Sequence, residues 1–392
     1  VYTSVHRDEP RIETLISVRA GSKNDPSDAT GLAHYLEHML FKGTDKYGTQ
    51  NYAKEKVLLD EIEELFEVYR KTIDETERAA IYHRIDSLSN QAAGFAIPGE
   101  YDRMVQRCGA RGTNAHTSVE ETVYENNIPR NQLERWVKLE AERFRNPVLR
   151  LFHTELEAVY EEKNRGMDND GRQAFETMMA AAFQKHQYGT QTTIGTIEHL
   201  KNPSMRKIRE YYSRYYVPNN MAVILVGDFD PDAAVALIAK EFANFQPKQL
   251  TSFDVAPEAA ITAPVVREVF GPSSESVALA FRFPGASHED IKLLTMCDML
   301  LSNNAAGIID LKLAQQQKVL NPGCSPMIMK DYSLHRFSGA PRKGQKSEEV
   351  VTLLLEQIEE LKKGNFTEAT MKAVINDLAI NQMKQMESSS NR

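Results

Sequence analysis

The chain has no run of about 18 apolar residues, so no membrane span is expected. It has no dense cluster of Lys and Arg, and its formal net charge is −8. Both features argue against a nucleic-acid surface. Cysteine is scarce. Cys108, Cys297 and Cys324 lie far apart and form no CxxC pair. A disulfide framework and a thiolate zinc site are therefore not suggested, and three buried or half-buried thiols are expected. The sequence also lacks an initiating Met, so a removed upstream segment such as a signal peptide is expected. The closing SSSNR directly after a helical pattern suggests a cut C-terminus as well.

What is present is ordinary for a packed protein. Hydrophobic residues make up 41% of the 392 and charged residues 26%. That length suggests two or three domains. Residues 12–21, IETLISVRAG, read as a strand that stops at Gly. A polar loop follows, then GLAHYLEHMLFKG, a helix pattern ending at Gly43. Residues 54–93 read as two amphipathic helices with a polar break near Asp74, a helical hairpin with a solvated charged face. A short strand is expected at 112–118 and helices at 131–146 and 153–165, separated at Asn146–Pro147. Helical segments continue to Tyr216. A buried strand starts at Ala222 and another helix follows it.

Residues 248–265, rich in Pro, Thr and Ala, are the linker candidate between a first domain, 1–247, and a second, 266–392. Beyond the linker, VALAFRFPG and EDIKLLTMCDMLLSN repeat the opening order of strand and helix. They suggest a degenerate internal repeat with no histidine in its helix.

The central motif is His34-Tyr35-Leu36-Glu37-His38. On a helix, residues four apart share a face, so His34 and His38 can reach one ion. Glu37 borders that face, while Leu32, Leu36, Met39 and Leu40 fall opposite and can be buried. A catalytic zinc needs a third protein ligand and an open position. The stretch Glu155-Leu156-Glu157-Ala158-Val159-Tyr160-Glu161-Glu162 offers candidates. Glu155 and Glu162 lie two helical turns apart on one face, and by spacing alone Glu157 or Glu161 would serve as well.

HxxEH, followed by a distant helix with Glu, six residues and Glu, resembles the pitrilysin, insulysin and mitochondrial processing peptidase family, the inverzincins. ELEAVYEE matches the second part. Residues 112–118 with Thr122 and Tyr124 resemble the family's active-site edge strand. QYGTQTTIGTIEHLKN and YYVPNNMAVILVGDFD resemble later family segments, so the likeness spans most of 11–245. The gap from His38 to Glu162 is longer than the family's usual one. The hairpin accounts for the excess, and a surface decoration that leaves the metal site intact is expected.

The resemblance implies a fold of two repeated α+β domains, each a mainly antiparallel sheet packed with helices. It implies Zn2+ held by His34, His38 and Glu162, with Glu155 fixing the geometry and Glu37 as the catalytic base. It also implies that Asn114, Ala115, His116 and Thr117 bind an extended peptide by strand addition. The chain would be one half of a chamber. Its second half would be fused downstream or supplied by a separate subunit. The expected activity is that of a zinc metalloendopeptidase. Two alternatives stand beside it: a non-catalytic partner subunit of the same family, and an unrelated α+β binding protein with chance metal-like spacing. An exported, periplasmic location is compatible with the missing Met, and a soluble cytoplasmic one is the alternative.

Overall fold

After a short exposed strand β1 (Tyr2–Val5), RIETLISV forms β2 (Arg11–Val18). Its side chains alternate strictly: Ile12, Thr14, Ile16 and Val18 are buried and the intervening residues half-buried. That is the period of a strand with one face on a core. The computed structural model describes residues 1–250 and 257–389. Of the expected linker, 251–256 lie outside the described residues.

Helix α1 (Leu32–Met39) carries the HxxEH motif, and α2 (Tyr52–Lys71) and α3 (Glu75–Ala93) form the hairpin. Then come α4 (Glu100–Arg107), β3 (Arg111–Thr117), β4 (Thr122–Pro129), α5 (Leu133–Arg145) and α6 (Phe152–Met167). Helix α7 (Asp170–Ala182) groups with the second unit. The first unit resumes with α8 (Gln187–Thr190), α9 (Ile197–Lys201), α10 (Met205–Tyr215), β5 (Met221–Gly227) and α11 (Pro231–Glu241).

The first unit comprises residues 1–169 and 185–250. Its five strands lie in the order β1-β5-β2-β4-β3. Among the described residues, only the β1–β5 pair of this sheet is parallel. Strand β3 is thus an edge, paired with β4 on one side. Helix α1 packs its apolar stripe into the main core, where Leu32, Leu36 and Met39 are almost fully buried beside Ile16, Tyr124 and Phe152.

The hairpin departs from the expected surface decoration. Asn51 caps α2 by accepting from the Lys54 amide, and Asp74 caps α3 by accepting from the Glu77 amide. Leu59, Ile62 and Phe66 on α2, with Ile85, Leu88 and Ala92 on α3, belong to the main core. The Phe66 ring meets Phe152, at the start of α6, edge-on at 5.2 Å. Buried Glu55 holds Arg150 through two oxygens at 2.6 and 2.9 Å. Arg209 reaches Glu63 at 2.8 Å, and Arg70 and Arg78 bond Asn202. The amphipathic stripe is visible in the sequence, but its docking into the main core is not.

The second unit comprises residues 170–184 and 257–389. Strand β6 (Val277–Pro284) and helix α12 (Asp290–Leu301) occupy the expected repeat. They are followed by β7 (Leu320–Ile328), β8 (Tyr332–Ala340), α13 (Ser347–Lys362) and α14 (Glu368–Gln385). The sheet is antiparallel in the order β6-β8-β7. Phe337 on one face packs with Leu301 of α12 and with Val350 and Leu354 of α13. Arg336, on the other face, covers the Phe175 ring of α7. Placing α7 here departs from a division in strict chain order.

Candidate metal centre

Three features fix α1. Its first amides would be unsatisfied without a cap. The Asp25 carboxylate, from the preceding loop, accepts from the Gly31 amide at 2.7 Å and the Ala33 amide at 3.0 Å. Gly31 has φ +90°, and a Cβ there would stand 2.7 Å from the Ile194 carbonyl oxygen, so glycine is required. From the middle of the helix, the Tyr35 hydroxyl donates to the Phe152 carbonyl, and its ring packs on Phe152 at 4.7 Å. Helix α1 is thereby tied to the start of α6.

This tie brings α1 and α6 side chains together. The Nε2 atoms of His34 and His38 are 3.3 Å apart. Glu162 Oε2 lies 3.6 Å from His34 Nε2 and 3.8 Å from His38 Nε2. A tetrahedral zinc with bonds of about 2.0–2.2 Å sets neighbouring ligand atoms about 3.3–3.5 Å apart. Two imidazole nitrogens and a carboxylate oxygen at these separations fit that ion within a few tenths of an ångström. Glu157 and Glu161, equally eligible by spacing, instead line a groove with Tyr69 and Tyr82 of the hairpin.

Glu155 sits two turns before Glu162 on α6. The His38 Nδ1–H donates to its Oε1 at 2.9 Å. A carboxylate only accepts, so this bond sets the tautomer and leaves Nε2 able to bind a metal. Lys42 Nζ meets the other Glu155 oxygen at 2.5 Å. Burial alone would raise the Glu155 carboxyl, but the His38 and Lys42 hydrogen bonds outweigh it and hold it below the usual range. Burial opposes the charged form of His38, yet the bond to Glu155 lifts its imidazole above the ordinary value.

Glu37 is 8% exposed. Burial raises its carboxyl, opposed by a hydrogen bond that the Thr117 hydroxyl donates to Oε2 at 2.5 Å. Thr117 ends the edge strand β3, so the same strand that carries Asn114, Ala115 and His116 reaches the Glu37 carboxylate. Asn114 and His116 are exposed, and Ala115 is half-buried. Asn114, Ala115, His116 and Thr117 pair with Glu125, Tyr124, Val123 and Thr122 of β4.

Sequence reasoning did not find Lys42, Asp25 or the side-chain role of Thr117. Lys42 could have been found, because it continues the four-residue step from His34 and His38. Asp25 and Thr117 act through pairings that no local spacing reveals.

Comparisons with known proteins bear on the family. The family described as insulinase (peptidase family M16) matches residues 3–59 and 95–196. The skipped stretch falls within the hairpin. The domain described as the peptidase M16 inactive domain matches residues 204–378. The zinc protease PqqE of Helicobacter pylori is 27% identical over 394 residues, covering 97% of this chain and 76% of that protein. A crystal structure of a protease from Helicobacter pylori aligns with a TM-score of 0.76 at 23% identity, covering 99% of this chain and 84% of the other. The periplasmic protease PqqL from Escherichia coli aligns with a TM-score of 0.67 at 17% identity. The alignment covers all of this chain and 39% of that one. The chain belongs to the insulinase family of peptidases, peptidase family M16.

Proposed function

We propose that this chain is the metal-binding half of a zinc-dependent endopeptidase acting on extended peptides. The observation that carries the reading is the convergence of His34 Nε2, His38 Nε2 and Glu162 Oε2 within 3.3–3.8 Å of one another beside a buried Glu37. The zinc proteases among its relatives support it. The match to the inactive domain covers 204–378 and none of these residues, so it does not weigh against the site.

In this reading His34, His38 and Glu162 hold zinc, which when bound polarises the scissile carbonyl and lowers the pKa of the attacking water. Glu37 takes the water's proton on its carboxylate and later delivers it to the leaving amine. Thr117 keeps that carboxylate aimed. Glu155 holds the His38 ring with Nε2 toward the metal, and Lys42 holds Glu155. The free edge of β3 offers backbone donors and acceptors to an extended peptide, which reads main chain more than side chains. The chain covers 39% of PqqL, and we assign it a second half, fused or separate, that completes the chamber. A periplasmic location, as that protein's description states for it, is the corresponding proposal for the compartment.

The test is metal content and peptide cleavage in the protein joined to its second half. Glu37→Gln is expected to keep its zinc and lose turnover by roughly 100-fold or more. The double variant His34→Ala/His38→Ala is expected to lose one equivalent of zinc and all cleavage. Full cleavage by either variant overturns the proposal.

A further inference from the structure

A second set of ligand-type side chains lies in the other unit, around a cysteine whose spacing in the sequence suggested nothing. Asp298 on α12, Cys324 on β7 and His335 on β8 each place one ligand atom within 4.8 Å of the other two. The strand register explains the meeting. Cys324 stands opposite Phe337 and Pro326 opposite His335, so Cys324 and His335 are diagonal neighbours on one sheet face. That face carries Phe337, which packs on Leu301 of α12. Asp298, one turn before Leu301, comes down onto the same patch. The His335 Nε2–H donates to Asp298 Oδ1 at 2.9 Å, and these side chains are 6% and 14% exposed. The Cys324 thiol donates to the Asp298 carbonyl at 3.7 Å.

Two other uses of such a trio do not fit. A nucleophilic cysteine needs its histidine on the sulfur, whereas His335 Nε2 is held by the carboxylate. Burial and the Asp298 and Asp310 carboxylates push the Cys324 thiol well up, so no thiolate stands ready. A disulfide is also not formed, because all three cysteines are free.

We propose that Asp298, Cys324 and His335 form a second cation site, for a thiophilic divalent ion such as Zn2+. Sulfur, imidazole nitrogen and carboxylate oxygen together suit zinc, whereas Mg2+ and Ca2+ require oxygen donors. A thiolate, a carboxylate and a neutral imidazole carry two negative charges, which a dication cancels. The loaded site is therefore neutral, as burial demands. On binding, the S–H bond breaks, its proton passes to solvent, and the sulfur's electron pair forms the bond to the metal. The His335 Nε2 proton moves through solvent to Nδ1, so the ring stays neutral and offers the Nε2 electron pair. The ion takes the place of the His335–Asp298 hydrogen bond and pins α12, β7 and β8 to each other. It adds stability to a unit whose sheet has three strands among the described residues.

Cobalt(II) titration of the chelator-stripped full chain tests this. The His34–His38–Glu162 cluster contains no sulfur, so a sulfur-to-cobalt charge-transfer band reports only on a thiolate ligand. The expected result is a band that is saturated once both cation sites are filled, by two equivalents, and disappears on adding zinc. It should be absent in Cys324→Ser and retained in the double variant Cys108→Ser/Cys297→Ser. Asp298→Asn should weaken cobalt binding by about ten-fold or more. No band in the wild-type chain, or a band that requires Cys108 or Cys297, overturns the proposal. That second arm decides the matter even where Cys324→Ser does not fold. Cleavage activity does not enter the readout, so the outcome is independent of the site on α1 and α6.

Discussion

Thr117 donates a 2.5 Å hydrogen bond to Glu37, which joins the last residue of the edge strand to the carboxylate of the HxxEH helix. Glu37 is therefore held by the same edge strand that we propose takes the peptide. Thr117→Val keeps the shape and removes the donor. The expected outcome is a roughly ten-fold loss of kcat with zinc content unchanged, and recovery in Thr117→Ser. Steady-state kinetics with parallel metal analysis checks this. A kcat equal to wild type in the valine variant shows that Glu37 needs no help from the strand.

Glu155 and Glu162 share a helix but touch the histidines differently. Glu162 points an oxygen at both Nε2 atoms, whereas Glu155 accepts a hydrogen bond from His38 Nδ1–H. Glu162→Gln should weaken zinc retention far more than Glu161→Gln, since Glu161 faces the hairpin groove. Glu155→Gln should lower zinc affinity by roughly 10–100-fold, and Lys42→Met by less. Competition against a chromophoric chelator measures all four. Equal affinities for the Glu161 and Glu162 variants would mean that the wrong carboxylate was chosen as third ligand.

The helix that carries His34, Glu37 and His38 was legible because its signal is local. The motif and the apolar stripe of Leu32, Leu36 and Met39 share one period, so chemistry and packing are read from eight residues. Glu155 and Glu162 were legible only as members of an acidic run until the resemblance to a family ordered them. Nothing local announces that Asp25 caps α1, because its amide partners lie six and eight residues on, across a loop. Strand β1 is short and largely exposed, so it has no apolar alternation to detect. The Asp298, Cys324 and His335 cluster is assembled from one helix and two strands by sheet register, and a register cannot be read from residue spacing.

The hairpin is part of the core despite its charge, because position decides burial. Leu59, Ile62 and Phe66 follow one helical stripe, and that stripe enters the main core. Phe66 is fully buried against Phe152, the residue whose carbonyl anchors Tyr35 of α1. Phe66→Ala is expected to cost about 3–5 kcal/mol, far above a surface substitution. Deleting residues 54–93 is expected to yield an unfolded or aggregated product, because it also strips Glu55 from the buried Arg150. Urea denaturation of the point variant and the solubility of the deletion variant check the two claims. A well-folded deletion product of wild-type stability would restore the view of the hairpin as decoration.

Acid should unmask one electrostatic contact outside both clusters. Burial would raise the Glu142 carboxyl, but hydrogen bonds from Arg145, Lys46 and Thr44 outweigh it and hold it down at about 2. The folded value lies below the unfolded one, near 4.5. The folded state thus binds this proton less tightly, and Glu142 contributes stability that is complete above about pH 4.5. That contribution is lost as pH falls through about 2. Lys46 is 63% exposed and Arg145 34%, so screening reduces the contribution to roughly 1 kcal/mol. Glu142→Gln should be less stable than wild type by about that amount at neutral pH. The difference should shrink to zero in strong acid and narrow with added salt. Denaturation curves of the two proteins across the acid range measure it. A gap that stays constant from neutral to strongly acidic pH would show that Glu142 acts through packing and not through its charge.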